Sequence, residues 1–223
     1  MRTVFVAGAG TDIGKTYVAC ALIRALRAQG VSVDALKPAV SGFDPAQMQA
    51  SDSGRLLEAL GRPLTPQALP KALDAISPLR FAAPLAPPAA ARREGLTLSL
   101  EMLLEPCRAR LGRPDVEVLL VEGAGGVMSP IAEGATNLDL ISALAAPVLL
   151  VGGSYLGGIS HSLTALETLT ARGCETLGLA VSESLDGPDL GETVEELRRF
   201  TGATPVAAVP RGGGAEALMA WVL

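Results

Sequence analysis

Short apolar runs alternate along this chain with longer segments in which apolar residues recur three and four positions apart. The runs at 4–6, 116–121, 147–151, 177–181 and 206–209 are rich in Val and Leu, and their mostly apolar character predicts strands buried on both faces. A weaker alternation over 31–36 predicts a further strand, ended by Lys37-Pro38, where proline removes a donor and fixes φ. Between the runs, Val18, Leu22, Ile23 and Leu26 share one helical face, and Gly30 closes that helix as a C-terminal glycine does. Helical spacing returns over 98–110, 136–145, beyond Gly158 through Leu163, Leu166 and Leu169, over 189–200, and over 215–223. Strands and helices in this alternation predict an α/β fold in three αβα layers, with a mostly parallel sheet covered on both faces.

The pattern fails between 62 and 98. Pro63, Pro66, Pro70, Pro78, Pro84, Pro87 and Pro88 crowd that stretch, which predicts a loop excursion over the sheet edge that supplies part of an active-site wall. Only Ala89-Ala90-Ala91 suggests the start of a short helix there. With 223 residues, the chain is expected to form one domain, 1–223, with the excursion inside it.

Composition narrows the function classes. The chain is 49% hydrophobic, yet no stretch reaches the ~18 uninterrupted apolar residues of a membrane helix, and the first glycines interrupt the N-terminal apolar run too early for a signal peptide. A cytoplasmic protein without membrane contact is expected. A net charge of −5 with 3% aromatic residues argues against a nucleic-acid surface, which needs clustered Lys and Arg. Cys20, Cys107 and Cys174 have neither disulfide nor zinc spacing, and His161 is the single histidine.

The chemistry is concentrated at strand ends. After the strand at 4–6, Gly8-Ala9-Gly10-Thr11-Asp12-Ile13-Gly14-Lys15-Thr16 leads into a helix. Loop and first-turn N–H groups there converge on anionic oxygens, Lys15 reaches the β/γ-phosphates, and the Thr16 hydroxyl ligates Mg²⁺. The G-x-x-x-x-G-K-[ST] motif has Ala9 at its first position, and the flanking Gly8 and Gly10 could supply the turn. Lys37 and Ser41 follow a strand end, where open α/β sheets bind ligands. Ser51-Asp52 opens a helix, and Asp52 is there either a cap or an Mg²⁺ ligand. The strand at 116–121 ends in Glu122-Gly123-Ala124-Gly125-Gly126, a metal-holding carboxylate followed by glycines that let backbone N–H groups approach an anionic substrate. A second glycine turn, Gly157-Gly158, precedes another helix and could hold a carboxylate.

Taken together these motifs resemble the dethiobiotin synthetase family, the ATP-dependent carboxylases of biotin biosynthesis. The resemblance spans nearly the whole chain, through 8–16, Lys37-Pro38-x-x-Ser41-Gly42, Ser51-Asp52, Pro78-x-Arg80-Phe81-x-x-Pro84, 121–126 and Leu156-Gly157-x-Ile159-x-His161. It implies a P-loop fold and the conversion of 7,8-diaminopelargonate, CO₂ and MgATP to dethiobiotin, ADP and phosphate. It further implies that Lys15 and Lys37 neutralise carbamate and phosphoryl oxygens, that Thr11 and Ser41 orient the carbamate, and that Thr16, Asp52 and Glu122 hold Mg²⁺. Nucleotide contacts are implied for Gly10, Thr11, Asp12, Ile13, Gly14, Lys15, Thr16 and Tyr17, with Ser182, Pro210, Arg211 and Gly212 as base-wall candidates. Substrate contacts fall on Ser41, Glu122 and Gly125, and in the family's homodimer on a partner's turn matching Gly157, Gly158, Ile159 and Ser160.

The chain departs from the family pattern where Ala9-Gly10 replaces the usual Thr-Asp, where Ser160 replaces Asn, where Pro88 replaces His, and where Ser182-Glu183 stands in place of an adenine-reading Asn. Strict adenine preference is therefore not implied. Two other readings share the fold. A P-loop switch of the partitioning or septum-site type would carry a second lysine at the position of Gly10, and the final helix here lacks a basic membrane-binding face. An amidating synthetase of cobalamin type would need added length and a nucleophilic cysteine.

Overall fold

The computed structural model describes residues 1–223. Strand β1 (Arg2–Gly8) runs through the middle of a six-stranded sheet, paired in parallel with β5 (Val118–Glu122) on one side and β8 (Val148–Gly153) on the other. Beyond β5 lies β2 (Val33–Leu36), and beyond β8 lie β9 (Thr176–Ser182) and β10 (Val206–Val209). The order is β10-β9-β8-β1-β5-β2, and every pairing is parallel.

Because successive strand side chains point to opposite faces, each strand feeds two cores. Val4, Val6, Val118, Leu120, Leu149 and Val151 pack on one side, under α1 (Lys15–Ala28), α2 (Asp52–Ala59), α3 (Leu69–Ile76) and α9 (Glu216–Val222). Phe5, Ala7, Leu119, Val121, Val148 and Leu150 pack on the other, under α4 (Pro87–Arg93), α5 (Leu100–Arg108), α6 (Asn137–Leu144), α7 (Gly158–Ala171) and α8 (Leu190–Arg198). The three-layer αβα arrangement expected from the apolar runs is the one observed. No helix is long and apolar enough to cross a membrane.

The chain leaves β1 toward β2 on one side and later crosses to β8 on the other, so a crevice forms at the carboxyl ends of the central strands. Glu122 is the last residue of β5, and Lys37 directly follows β2.

The proline-rich stretch corrects the expectation of a loop. It contains α3, α4 and the short strand β4 (Leu79–Phe81), which pairs in parallel with β3 (Ala39–Ser41). Its prolines are tolerated because Pro70, Pro87 and Pro88 sit in first helical turns, where no N–H is required. The excursion anchors the segment after β2, with the Lys37 N–H donating to Ile76 O at 2.8 Å and Leu79 N–H to Pro38 O at 3.3 Å. Strand β2 also begins later than expected, at Val33, and a small hairpin of β6 (Pro130–Ala132) and β7 (Ala135–Thr136) precedes α6.

Candidate active site

The loop between β1 and α1 gets its curvature from two residues in the left-handed region, Asp12 at φ 55° and Gly14 at φ 98°. Gly8 and Gly10 are not in that region, which corrects the expectation that they make the turn. Ala9 fits the first motif position because it prolongs the β1 ladder, its N–H donating to Val151 O at 2.8 Å. Gly8 is needed for space instead: a Cβ there would stand 2.8 Å from Lys15 Cδ and 2.9 Å from Gly10 O. The Lys15 side chain folds back over it and donates to Gly10 O at 2.8 Å.

Helix α1 has no side-chain cap. Its first helical bond is Val18 N–H to Gly14 O, so the N–H groups of Lys15, Thr16 and Tyr17 have no helical acceptor. Lys15 and Thr16 are themselves buried. Burial pushes the Lys15 ammonium down to about 8; the Glu122 charge opposes the fall and the Lys37 charge adds to it.

Three further elements close on this loop. Lys37, 5% exposed, bridges Asp52 Oδ2 at 2.5 Å and Glu122 Oε1 at 2.7 Å. Burial opposes its charge, but the Glu122 and Asp52 carboxylates more than offset that, and its pKa is raised. Asp52 is half-exposed; its partial burial opposes its charge, yet Lys37 holds its carboxyl below the usual range. The alternatives for Asp52 are resolved by its neighbour: Ser51 Oγ accepts from Gly54 N–H and caps α2, so Asp52 is free to face Lys37. Thr16 Oγ1 donates to Glu122 Oε1 at 2.7 Å, while Glu122 Oε2 is buried with no partner.

These groups line a cavity of about 380 Å³. Lys15, Lys37 and Arg55 face Asp12, Asp52 and Glu122, so the lining is balanced in charge. A bound triphosphate would add about four negative charges, more than two buried lysines offset, and so calls for a further cation. The orphaned Glu122 oxygen, the adjacent Thr16 hydroxyl and Asp52 form the hard oxygen set that Mg²⁺ takes. The residues present fit the metal.

Thr11, Asp12, Gly14, Lys15, Thr16, Tyr17, Lys37, Ser41, Asp52, Glu122 and Gly125 all line this one cavity. Gly10 and Ile13 line an adjoining one with Tyr155 and His161, whose side chains hydrogen-bond at 2.7 Å. Ser182, Pro210, Arg211 and Gly212 are not part of the main wall. Ser182 is buried under Gly14, while Pro210 O accepts from the Tyr17 hydroxyl at 2.7 Å and the Arg211 N–H donates to Glu183 Oε2 at 2.7 Å. Gly157, Gly158, Ile159 and Ser160, at the start of α7, also lie outside this cavity.

The sequence reading missed Arg55, whose place three residues after Asp52 on α2 was the available signal. It also missed Asn137, whose Nδ2 donates to Ala124 O and Gly126 O and fixes the glycine turn after β5. In the excursion expected to supply part of an active-site wall, Pro84, Leu85, Ala86 and Pro87 line a cavity together with Thr11, Ser41 and Gly125.

Residues 2–215 match the family described as an AAA domain. The chain is 57% identical to the ATP-dependent dethiobiotin synthetase BioD of Phenylobacterium zucineum, over 96% of this chain and 91% of that protein. This chain belongs to the dethiobiotin synthetase family. The corresponding enzyme of Caulobacter vibrioides is 55% identical over 97% of this chain and 96% of its own length. Among solved structures, the MinD cell division protein of Aquifex aeolicus superposes with a TM-score of 0.53 at 14% identity, covering 100% of this chain and 86% of that one. That likeness shows the shared fold alone.

Proposed function

We propose that this protein is an ATP-dependent dethiobiotin synthetase, closing 7,8-diaminopelargonate and CO₂ into a cyclic urea with Mg²⁺ as the metal. The observation that carries the reading is the convergence of Lys15, Lys37, Asp52 and Glu122, from four separate elements, on one cavity at the carboxyl edge of the sheet.

One substrate amine adds to CO₂ and loses a proton, giving a carbamate. A carbamate oxygen attacks the γ-phosphorus and ADP leaves; the second amine then attacks the carbonyl of the mixed anhydride, expels phosphate and closes the ring. Each step places negative charge beside negative charge, which preorganised cations in a dry site stabilise. Lys15, packed along the loop, takes the phosphoryl oxygens. Lys37, kept charged by its two carboxylates, faces the carbamate. The Thr11 and Ser41 hydroxyls orient that carbamate, and the N–H groups of Lys15, Thr16 and Tyr17 donate to the phosphates. Thr16, Asp52 and Glu122 would hold Mg²⁺, which supplies charge neutralisation between the phosphates when bound. No histidine base is required, because the attacking amines need only be unprotonated.

Tyr17, Ser182, Pro210, Arg211 and Gly212 cluster beside the loop and are the candidates for the base wall. The α7 turn at Gly157 lies outside the cavity that holds Lys37, which suits a homodimer in which a partner presents it to the substrate carboxylate. The absence of a membrane-crossing helix suits a cytoplasmic enzyme.

The test is a turnover assay with diaminopelargonate, bicarbonate and Mg²⁺, comparing ATP, CTP and GTP, with nucleoside diphosphate and cyclic urea followed together. Equal yields of diphosphate and urea are expected. Nucleotide hydrolysis without urea would overturn the reading.

A further inference from the structure

Away from the strand tips, a further cavity of about 410 Å³ opens at the sheet edge beyond β2, between α2, α3 and the turn after α5. Its charged lining is one-sided: Arg62, Lys71, Arg110 and Arg113 surround a single carboxylate, Asp34, in a chain whose net charge is −5. Asp34 is buried on β2, and its Oδ2 accepts from Arg110 at 2.5 Å and Arg113 at 3.1 Å. Arg62 stands 4.0 Å from its Oδ1, and Lys71 forms no ion pair. Arg110 also donates to Ala75 O and is mostly buried. One arginine would satisfy Asp34. Arg113 also forks onto Asp115 and Arg110 is spent on Asp34 and Ala75 O, so the surplus positive charge at this concave place is that of Arg62 and Lys71, which suits an anion.

Apart from Gln67 the remaining wall is apolar, with Leu57, Leu60, Ala72 and Ile76 among the lining. Convergent cations at one side of an apolar hollow suit an anion that carries a hydrocarbon body.

We propose that this cavity binds a medium-chain carboxylate, and that its occupancy is felt at the active site. Two direct contacts make that link. Ile76, in the cavity wall, accepts the backbone N–H of Lys37 at 2.8 Å. Ser77, the next residue, shares a hydrogen bond of 2.6 Å with Ser53, which adjoins Asp52; α2 itself carries Asp52 at its start and Leu57 in the cavity wall. A ligand that shifts α2 or α3 therefore shifts the backbone holding Lys37 and Asp52.

The test is calorimetric titration of octanoate into the full-length protein and into Lys71→Glu and Arg62→Gln. Both side chains are exposed and outside the catalytic cavity, so unfolding midpoints and turnover without octanoate should be unchanged. Saturable binding to the wild type, weakened about tenfold or more in each variant, is expected. Inorganic phosphate should not displace octanoate, and the Lys37 amide resonance should move as octanoate is added. Binding that persists undiminished in both variants would place octanoate in the catalytic cavity and overturn the proposal, as would no saturable binding. Displacement by equimolar phosphate would overturn the carboxylate assignment, and an unmoved Lys37 amide would overturn the coupling.

Discussion

Helices α1 and α7 start in the same way and differ in their surroundings. Each has fourteen residues and comes after a central strand through a glycine in the left-handed region, Gly14 at φ 98° and Gly157 at φ 92°, and neither has a side-chain cap. By contrast, α2, α5 and α8 begin beneath the side chains of Ser51, Ser99 and Asp189, which take the N–H groups an anion would otherwise use. At α1, Ser182 supports the glycine from below, Lys15 and Thr16 are buried, and two further strand tips face the turn. At α7 a Cβ added at Gly157 would meet nothing closer than His161 at 3.9 Å, and the preceding Leu156 is 92% exposed. The same backbone device sits in a charged cavity in one place and in an open turn in the other, because only the first is surrounded by charge from other elements.

The contrast can be broken in a graded series. Gly14→Ala should have the largest effect: left-handed strain of ~1–2 kcal/mol adds to a collision with Ser182, for a total loss of about 3 kcal/mol and failure to bind nucleotide, read by chemical denaturation and calorimetry. Lys15→Ala should leave the fold intact but cost about 2 kcal/mol of nucleotide affinity, roughly thirtyfold in Kd. Gly157→Ala meets no collision and should lose only the strain, about 1 kcal/mol in denaturation, with nucleotide affinity unchanged.

The smallest effect belongs to the helix that starts under a carboxylate. Asp139 Oδ2 accepts from the Thr136 N–H and hydroxyl, both at 2.8 Å. The Thr136 N–H, then its hydroxyl, hold the Asp139 carboxyl below the usual range against a small desolvation cost. A lowered folded pKa means the contribution is present above the ordinary Asp range and is lost as pH falls through the folded value. Asp139→Ala should therefore cost somewhat under ~1 kcal/mol at neutral pH, and the difference from wild type should close in strongly acidic solution.

What could be read from the chain and what could not divide along physical lines. Most of the buried parallel strands were legible as mostly apolar runs, β2 with its Asp34 only as a weaker alternation, and Lys37 and Glu122 were legible because they stand where those segments stop. Asp52 was ambiguous until the structure put Ser51 in the capping role, since both residue types cap well. The proline-rich segment was misread because proline is costly inside helices and costs nothing in first turns, and only the folded chain shows which positions are first turns. The cavity at the β2 edge left no local trace: Arg62, Lys71, Arg110 and Arg113 look like solvated charges until Asp34 gathers them.

The most direct test of the central claim, that strand tips assemble one polyanion and metal site, is calorimetric ATP binding with and without Mg²⁺ in the wild type and Glu122→Gln. Glu122 presents a buried oxygen with no protein partner, so Mg²⁺ should tighten ATP binding in the wild type and lose most of that effect in the variant, whose ATP affinity without metal is retained. An undiminished Mg²⁺ enhancement in Glu122→Gln would contradict the account.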